Sequence, residues 1–283
     1  MNPPIWKMRE WIINSSYINK LDKTQISNNP YAIEYLKKNK KYIDWISLSS
    51  NENGMELLLK NPNKINWQVL SSNKNPEAIN LLRLNREKID WSRLSANESA
   101  IELLKDEIKN VPCKIDWKTL SSNKNAIELI IANQDKIDWS LLSGNFNAYD
   151  LLMKNKDYID YRYLSTNSNP KVVKFLKENP DKINWDYLCL NENTDTIKML
   201  EKNQDKINWY FLSINHNAHD LLYSNQNKII WFLFGSNKCM FQLDYKKMQL
   251  VNEKFEEELI CEILKPSRVF KNPNYDYIEA LFD

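Results

Sequence analysis

Glycine is nearly absent from this chain, which has only three glycines among its 283 residues. This scarcity leaves little room for Gly-rich phosphate-binding loops, and it argues against an all-β fold built on tight hairpins. The four cysteines, Cys113, Cys189, Cys239 and Cys261, show no paired spacing. We therefore expect reduced thiols rather than a disulfide framework or a zinc knuckle.

An excess of charge of one sign is also missing, since 39 basic residues face 37 acidic ones. That balance argues against nucleic acid or an anionic membrane as the default partner. Near the start of the chain, Lys7, Arg9 and Glu10 interrupt the apolar residues. This segment therefore fits neither a signal peptide nor a membrane span, and we expect an intracellular protein that does not contact a membrane.

One sequence pattern recurs nine times along the chain. It reads Lys-Ile-Asp-Trp-x-x-Leu-Ser-x-Asn-x-Asn, followed by an apolar run, and its aromatic anchors are Trp45, Trp67, Trp91, Trp117, Trp139, Tyr161, Trp185, Trp209 and Trp231. The anchors are 22 to 26 residues apart, a period that is typical of repeat proteins. We therefore predict an all-α fold, an α-solenoid in which each unit has one longer helix and one short α or 3-10 helix.

The columns of the repeat indicate where these helices begin and end. Asp or Asn precedes the anchor in eight of nine units, and its side chain can cap a short helix that begins at the aromatic residue. Six residues after every anchor stands an Asn, which predicts a turn with left-handed backbone and a stacked, buried ladder. A second Asn, as in Asn75-Pro76 and Asn169-Pro170, predicts the start of the longer helix.

The two ends of the chain depart from the pattern. A degraded first unit begins near residue 20 and has Lys23 at the anchor position, and we expect Trp6 and Trp11 to cover its outer face. After Trp231 the pattern breaks, and a helix is predicted from Glu253 to Leu264. The predicted organisation is an N-terminal cap over 1–19, a solenoid of nine to ten units over 20–237, and a C-terminal cap over 238–283. An insertion at 106–113 should make the array bulge.

The repeated phrases Leu120-Ser121-Ser122-Asn123-Lys124-Asn125 and Asn133-Gln134-Asp135-Lys136-Ile137-Asp138-Trp139 resemble a known repeat family. That family occurs in large paralogous sets in giant DNA viruses of amoebae, above all the mimivirus group. The resemblance covers roughly residues 20 to 240, and the excess of Asn, Lys and Ile suits an AT-rich genome. It implies a repeat scaffold located in the host cytoplasm or the virion, and it implies neither a catalytic activity nor a set of functional residues.

Residues with catalytic or metal-binding chemistry are sparse. His216 and His219, the only two histidines, could face one metal ion from a helix, but the sequence places no third strong ligand near them. The chain has no nucleophile motif and no phosphate-binding loop. We therefore predict a protein that is not an enzyme and that holds no metal and no cofactor.

The candidate site for a partner lies two residues after the anchor. This column changes from Ser47, Val69, Arg93, Thr119 and Leu141 to Tyr163, Tyr187 and Phe211, with Tyr210 and Phe232 adjacent. Because the column tolerates polar residues, consecutive aromatic side chains there predict an exposed apolar stripe that binds a viral or host protein. The alternative is that the C-terminal cap covers these residues. The preferred function is a noncatalytic scaffold for protein–protein interaction.

Two other functions remain open from the sequence. A row of lysines three residues before the anchors could bind the phosphates of a nucleic acid; it comprises Lys64, Lys88, Lys114, Lys136, Lys182, Lys206 and Lys228. Neighbouring acidic residues favour a solvated, internally neutralised row instead. The anchors themselves are interpreted as core rather than as a stacking surface for bases. The third possibility is a virion component that assembles through exposed ends of the solenoid.

Overall fold

The structure, a computed structural model, describes residues 4–13 and 21–263. Within these residues the fold is helical, with short and longer helices alternating along the chain and two three-residue strands near its ends. The predicted all-α repeat solenoid is thus confirmed. Among the described helices, none is long and apolar enough to cross a membrane.

Ten short helices form the first element of each repeat unit, and we call them anchor helices. In chain order they are Lys23–Asn28, Trp45–Ser50, Trp67–Leu70, Trp91–Ser95, Trp117–Leu120, Trp139–Ser143, Tyr161–Thr166, Trp185–Leu188, Trp209–Leu212 and Trp231–Phe234. The first of them confirms the degraded unit with Lys23 at the anchor position. Most begin as predicted: in the second unit, the Asp44 carboxylate accepts a hydrogen bond from the Ser47 amide at 2.8 Å, which caps the helix.

The second helix of each unit follows the anchor helix. These helices are Ile33–Lys38, Met55–Leu59, Pro76–Leu84, Ile101–Asn110, Ile127–Ile131, Tyr149–Lys154, Pro170–Glu178, Thr194–Lys202 and His219–Ser224. As predicted, Asn75 and Asn169 cap two of them, each with Pro at the first helical position.

A 3-10 turn, which the sequence pattern did not predict as a separate element, then leads to the next anchor. These turns are Lys40–Tyr42, Pro62–Lys64, Arg86–Lys88, Pro112–Lys114, Gln134–Lys136, Lys156–Tyr158, Pro180–Lys182, Gln204–Lys206 and Gln226–Lys228. Four further 3-10 turns, Pro30–Ala32, Glu98–Ala100, Lys124–Ala126 and Lys238–Met240, directly follow a ladder asparagine. The anchor helices themselves are α-helical, so the 3-10 character expected there lies in the neighbouring segments.

A buried ladder of asparagines joins each unit to the unit before it. The Asn145 side-chain nitrogen donates hydrogen bonds to the carbonyls of Ser121 at 2.9 Å and Asn123 at 3.0 Å. Its side-chain oxygen accepts one from the Asn147 amide at 3.0 Å. The same three bonds recur at every ladder position: Asn29, Asn51, Asn73, Asn97, Asn123, Asn145, Asn167, Asn191, Asn215 and Asn237.

The predicted ladder is therefore confirmed, but the predicted left-handed backbone is wrong. No described residue has a positive φ, and Asn51, for example, has φ −74° and ψ 115°. Extended backbone at this position carries the Asn side chain across to the preceding unit. In that position the side chain forms hydrogen bonds with two buried carbonyls and with one backbone amide of its own turn. With a left-handed backbone, the side chain would stay beside its own helix, and these groups would need other hydrogen-bond partners.

The ladder closes on itself, so the repeat forms a ring. Asn29, in the first unit, donates to the carbonyls of Gly235 at 3.1 Å and Asn237 at 2.9 Å, both in the tenth unit. The first and tenth anchor helices lie against each other accordingly. A Cβ atom added at Gly235 would come within 2.9 Å of the Gln25 Cβ, so this junction needs glycine. The solenoid thus has no free end between residues 21 and 240.

A serine column provides a second link between consecutive units. The Ser121 hydroxyl donates to the Trp117 carbonyl at 2.9 Å and accepts from the Asp138 amide of the next unit at 3.0 Å. Equivalent serines repeat the bond to the next unit at seven further junctions, and in the eighth unit Cys189 takes the serine position. Gly235 occupies the serine position of the tenth unit, so the closing junction lacks this hydroxyl and relies on the asparagine bonds.

The insertion at 106–113 lengthens a second helix and leaves the ladder intact. The helix Ile101–Asn110 has 10 residues, and Glu107 is buried beneath Arg86 at 3.1 Å and Lys114 at 2.8 Å. The ladder bonds of Asn97 and Asn123 on either side have ordinary lengths. The expected bulge is therefore confined to the outer helix.

The described residues divide into two compact units, 8–241 and the pair of segments 4–7 and 242–263. Strands Trp6–Met8 and Phe241–Leu243 form a two-stranded sheet, and a helix then runs over Tyr245–Ile263, longer at its start than the predicted one. Trp11 packs against Trp231, at 6.0 Å between ring centroids. The predicted boundaries, between residues 19 and 20 and between 237 and 238, follow the repeat pattern. The boundaries between the two compact units lie instead between residues 7 and 8 and between 241 and 242.

Candidate interaction surface

Three aromatic side chains from successive anchor helices form one line, which we call the aromatic row. It consists of Tyr163, Tyr187 and Phe211. The ring centroids of Tyr163 and Tyr187 are 6.0 Å apart, and those of Tyr187 and Phe211 are 5.7 Å apart. The structure therefore brings together the three residues that the sequence placed in one column.

Two more aromatic residues, Tyr210 and Phe232, stand one residue after the anchors of units nine and ten, and the five together are the aromatic surface. Tyr210 meets Phe211 edge to face at 5.5 Å, and Phe232 lies in the next unit. Tyr210 is 54% exposed and Phe232 is 56% exposed, while the three row residues are half-buried. Such a group of accessible aromatic rings is typical of a contact site.

The fold itself does not require aromatic side chains at these positions. The Tyr187 amide bonds to the Asn184 cap at 3.0 Å, just as the Ser47 amide bonds to Asp44 in the second unit. The backbone role of this column is thus the same at Tyr187 and Phe211 as at Ser47, whereas in the seventh unit the cap bonds to the Arg162 amide. The aromatic residues are an addition to the repeat, confined to units seven to nine and the neighbouring Phe232.

Charged groups beside the row are unequally paired. The Arg162 guanidinium donates two hydrogen bonds to the Asp160 carboxylate, at 3.2 and 2.8 Å. This interaction lowers the pKa of Asp160 below its usual value. Asp186 accepts a hydrogen bond from the Asn208 side chain at 3.0 Å. Within the described part of the chain, the Asp186 carboxylate forms no ion pair, and its hydrogen-bond partner is this neutral amide.

The lysine row lies on the anchors of the preceding units. Six of its ammonium groups sit 4.3 to 5.4 Å from an aromatic ring centroid: Lys88 over Trp67, Lys114 over Trp91, Lys136 over Trp117, Lys182 over Tyr161, Lys206 over Trp185 and Lys228 over Trp209. Lys64 is exposed. In the unit where Tyr158 replaces lysine, its ring stacks on Trp139 at 4.9 Å. The column thus covers one face of the anchor in seven units.

This geometry changes two sequence interpretations. The anchors were expected in the core, but Trp231 alone among them is buried and the others are half-buried. The lysines were expected to be neutralised by adjacent acids. Among the described residues, the ion pairs of this row are only Lys182 with Asp181 and Lys114 with Glu107, whereas six of the seven lysines contact an aromatic ring.

A concave cavity of roughly 400 Å³ opens where the ring closes. Its walls come from the first three and the last two units, and its charged groups are Glu52, Lys74, His216 and Lys238. Burial lowers the pKa of His216, and its Nε2 lies 4.0 Å from Glu192. His219 instead contacts Asp220 at 2.8 Å. Among the described residues, no group of three potential metal ligands exists.

Comparisons with known proteins give no relative for this chain. No protein-family model matches it, and no curated protein and no solved structure matches it significantly.

Proposed function

We propose that this protein is a noncatalytic scaffold that binds a protein partner through the aromatic surface. The observation that carries the proposal is the alignment of Tyr163, Tyr187 and Phe211, continued by the exposed rings of Tyr210 and Phe232. Ten units share their backbone bonds and ladder residues, and the aromatic surface is where several neighbouring units depart from the repeat together. A feature that the scaffold does not need points to a partner.

The energetics favour such a site. Burying apolar surface contributes about 25 cal/mol per Å², and a few aromatic side chains commonly supply most of the binding free energy of an interface. The asparagine ladder holds the anchor helices in fixed register, so the row loses little conformational entropy when a partner binds. We place the partner, viral or host, in the host cytoplasm or the virion, on the strength of the resemblance to the giant-virus repeats.

Nucleic-acid binding by the lysine row is the second candidate. It is favoured by the exposure of the seven lysines, which recur once per unit and so lie along the array. Against it, six ammonium groups already contact aromatic rings, and the chain as a whole carries a net charge of only +2. If this candidate is correct, affinity for an oligonucleotide falls steeply as salt is raised.

The decisive experiment compares partner capture by two variants from extracts of cells that produce the protein. The first replaces Tyr163, Tyr187 and Phe211 by Ser, a residue that the column already accepts at Ser47. The matched control is Ile46→Ser, which removes an exposed apolar side chain, 57% accessible, from a unit outside the aromatic surface. We expect the triple variant to lose the captured protein and the control to keep it, with both remaining folded.

Retention of the same captured protein by the folded triple variant would refute the assignment. If the triple variant loses capture, its melting temperature shows whether a contact surface or part of the core has been lost. A triple variant that melts near the wild type has lost a contact surface, whereas a large drop shows that the row contributes to the core. In that second case, Tyr210→Ser with Phe232→Ser tests the exposed part of the surface alone.

A further inference from the structure

The tenth unit has no second helix in its own stretch of sequence. In the sixth unit, Ala148 leads directly into the second helix, Tyr149–Lys154. The corresponding residue of the tenth unit is Met240, and the chain continues from it into the strand Phe241–Leu243. The anchor helix Trp231–Phe234 therefore begins a unit that the following residues leave incomplete.

A short helix from the start of the chain, Glu10–Ile13, lies where the missing helix belongs. The Trp11 ring packs on Trp231 and Phe234 of the tenth anchor helix, at 6.0 and 5.9 Å between centroids. The same ring meets Tyr223, in the second helix of the ninth unit, at 5.6 Å. Second helices elsewhere in the ring also pack against the anchor helix of their own unit and the second helix of a neighbouring unit.

Burial and sequence fit this position as well. Each of the nine second helices buries one aliphatic side chain to 2% exposure or less, as at Leu152 in the sixth unit, and Ile12 is 0% exposed. In every second helix an apolar or aromatic residue directly precedes that side chain, as Trp11 precedes Ile12. The pair Trp11 and Ile12 thus corresponds to the paired apolar residues of a second helix.

Hydrogen bonds join the segment to the tenth unit. In the sixth unit, the Ala148 carbonyl accepts a hydrogen bond from the Leu152 amide of the second helix at 2.9 Å. At the equivalent position of the tenth unit, the Met240 carbonyl accepts from the Arg9 amide at 3.1 Å. The Arg9 Nε also donates to the Cys239 carbonyl at 2.8 Å. The N-terminal segment therefore bonds to a carbonyl that a second helix bonds to elsewhere.

The position of this segment bears on the cavity at the ring closure. Pro30 and Ser50 of the first units line that cavity together with His216 and Lys238 of the last units. Because its walls belong to opposite ends of the array, the cavity exists only while the first and tenth units stay together. Whatever ties these two units to each other therefore also keeps the cavity formed.

We infer that residues 9–13 form a clasp, which completes the tenth unit with a helix from the other end of the chain and holds the ring and its cavity closed. The sequence runs on from the clasp to the first unit, so the contacts of the clasp with the tenth unit tie the two ends of the array together. The buried indole N–H of Trp11 has no hydrogen-bond partner among the described residues. The side chains of Trp11 and Ile12 therefore hold the clasp by packing, which a substitution can remove without touching the asparagine ladder.

Two buried thiols report the opening of the clasp in the full chain. Cys239 lies beside the clasp in the tenth unit, and Cys189 lies in the eighth unit. Burial raises the pKa of both thiols, so each reacts with iodoacetamide only when its surroundings open. We expect Ile12→Ala to speed the labelling of Cys239 at least about tenfold and to leave the labelling of Cys189 unchanged, as measured by mass spectrometry after timed exposure.

Hydrogen exchange shows whether the ring opens together with the clasp. The Tyr31 amide donates to the Asn29 side chain at 3.0 Å, next to the closing junction, and the Asn147 amide makes the same bond to Asn145 at an interior junction. In Ile12→Ala, exchange at Tyr31 should rise at least about tenfold while exchange at Asn147 stays as in the wild type.

Two further variants make the result specific. Ile13→Ala removes an equal side chain from the same helix, but Ile13 is 49% exposed, so neither thiol should change its rate. Ile12→Val removes one methyl group and should speed the labelling of Cys239 about two- to tenfold, which provides the test if Ile12→Ala does not fold. Equal acceleration at Cys239 and Cys189, or an unchanged rate at Cys239 in the Ile12 variants, would overturn the inference. Faster labelling of Cys239 without faster exchange at Tyr31 would overturn the claim that the clasp holds the ring closed.

Discussion

Replacement of one ladder asparagine by alanine, Asn145→Ala, tests the physical basis of the ring. Asn145 is 1% exposed, and its side chain makes three hydrogen bonds of 2.9, 3.0 and 3.0 Å. Alanine removes all three bonds at once. The Ser121 carbonyl and the Asn147 amide then lose the partner that Asn145 supplies, in a site that water does not reach, while the Asn123 carbonyl keeps the Ala126 amide at 3.0 Å.

The expected loss follows from that count. A neutral intramolecular hydrogen bond contributes about 1 kcal/mol net, and a buried polar group left unpaired costs about 1 to 3 kcal/mol. Even if the ring relaxes to admit water at one of these two groups, the free energy of unfolding should fall by about 2 to 3 kcal/mol. The cost should be nearly the same at any interior ladder position, because the bonds are the same.

The assay is denaturant unfolding of wild type and variants, monitored by tryptophan fluorescence and far-UV dichroism. Asn147→Ala is the matched control: its side chain donates to the Lys124 carbonyl at 2.9 Å, but Asn147 is exposed. Water can replace that bond, so we expect a loss of at most about 1 kcal/mol. If the two variants lose equal stability, the buried ladder is not what holds consecutive units together.

Three further substitutions test other parts of the ring, each measured by the same unfolding assay. Gly235→Ala should cost about 1 to 3 kcal/mol, since the added methyl group would lie 2.9 Å from a side-chain carbon of the first unit; a neutral result would mean that this junction is open. Lys206→Met keeps the aliphatic stem over Trp185 but removes the cation, 4.3 Å from the ring, and should cost about 0.5 to 1 kcal/mol; no loss would show that the stem alone matters. Glu107→Gln should cost about 1 to 2 kcal/mol, because a carboxylate that is 2% exposed loses its pairing with Lys114. Increased stability would show that the desolvation of the carboxylate is larger than the stabilisation from its ion pairs.

Much of the fold could be predicted because its information is local and repeated. The Asp or Asn before each anchor caps a helix for reasons that involve only the next three residues, so one unit suffices to predict it. The buried ladder was predictable from an Asn at a fixed offset. Its backbone conformation was not, because the carbonyls that each ladder side chain reaches belong to another unit: Asn73, for instance, bonds to the carbonyls of Ser49 and Asn51.

Features that depend on the relative placement of units were missed. The contact of Lys206 with Trp185 joins residues of consecutive units, and it requires knowledge of how one unit sits on the next. Ring closure depends on a small rotation per unit, summed over the array, which no single column encodes. Two signals could have suggested it: the degraded first unit retains Asn29, and Gly235 replaces the serine of its column.

The candidate site was predicted in part for the same reason. A shared column in successive units predicts that Tyr163, Tyr187 and Phe211 line up, and their ring contacts confirm this alignment. Whether they bind a partner stays a prediction. The pairing of charges around them could not be read from the chain, since the Asp186 carboxylate is bonded by an amide of the next unit and the Asp160 carboxylate by a guanidinium of its own helix.

Closure of the ring bears on which interactions the scaffold can make. An open solenoid presents unused ladder groups at its two ends, and further copies can add there. Here the side chain of Asn29 is already bonded to Gly235 and Asn237, so the donors that a following copy would need are occupied within the same chain. Growth through the ends of the array would require breaking those bonds, which argues against end-to-end assembly into a virion structure. Binding must then use the side chains that differ between units, and the aromatic surface is the largest such difference.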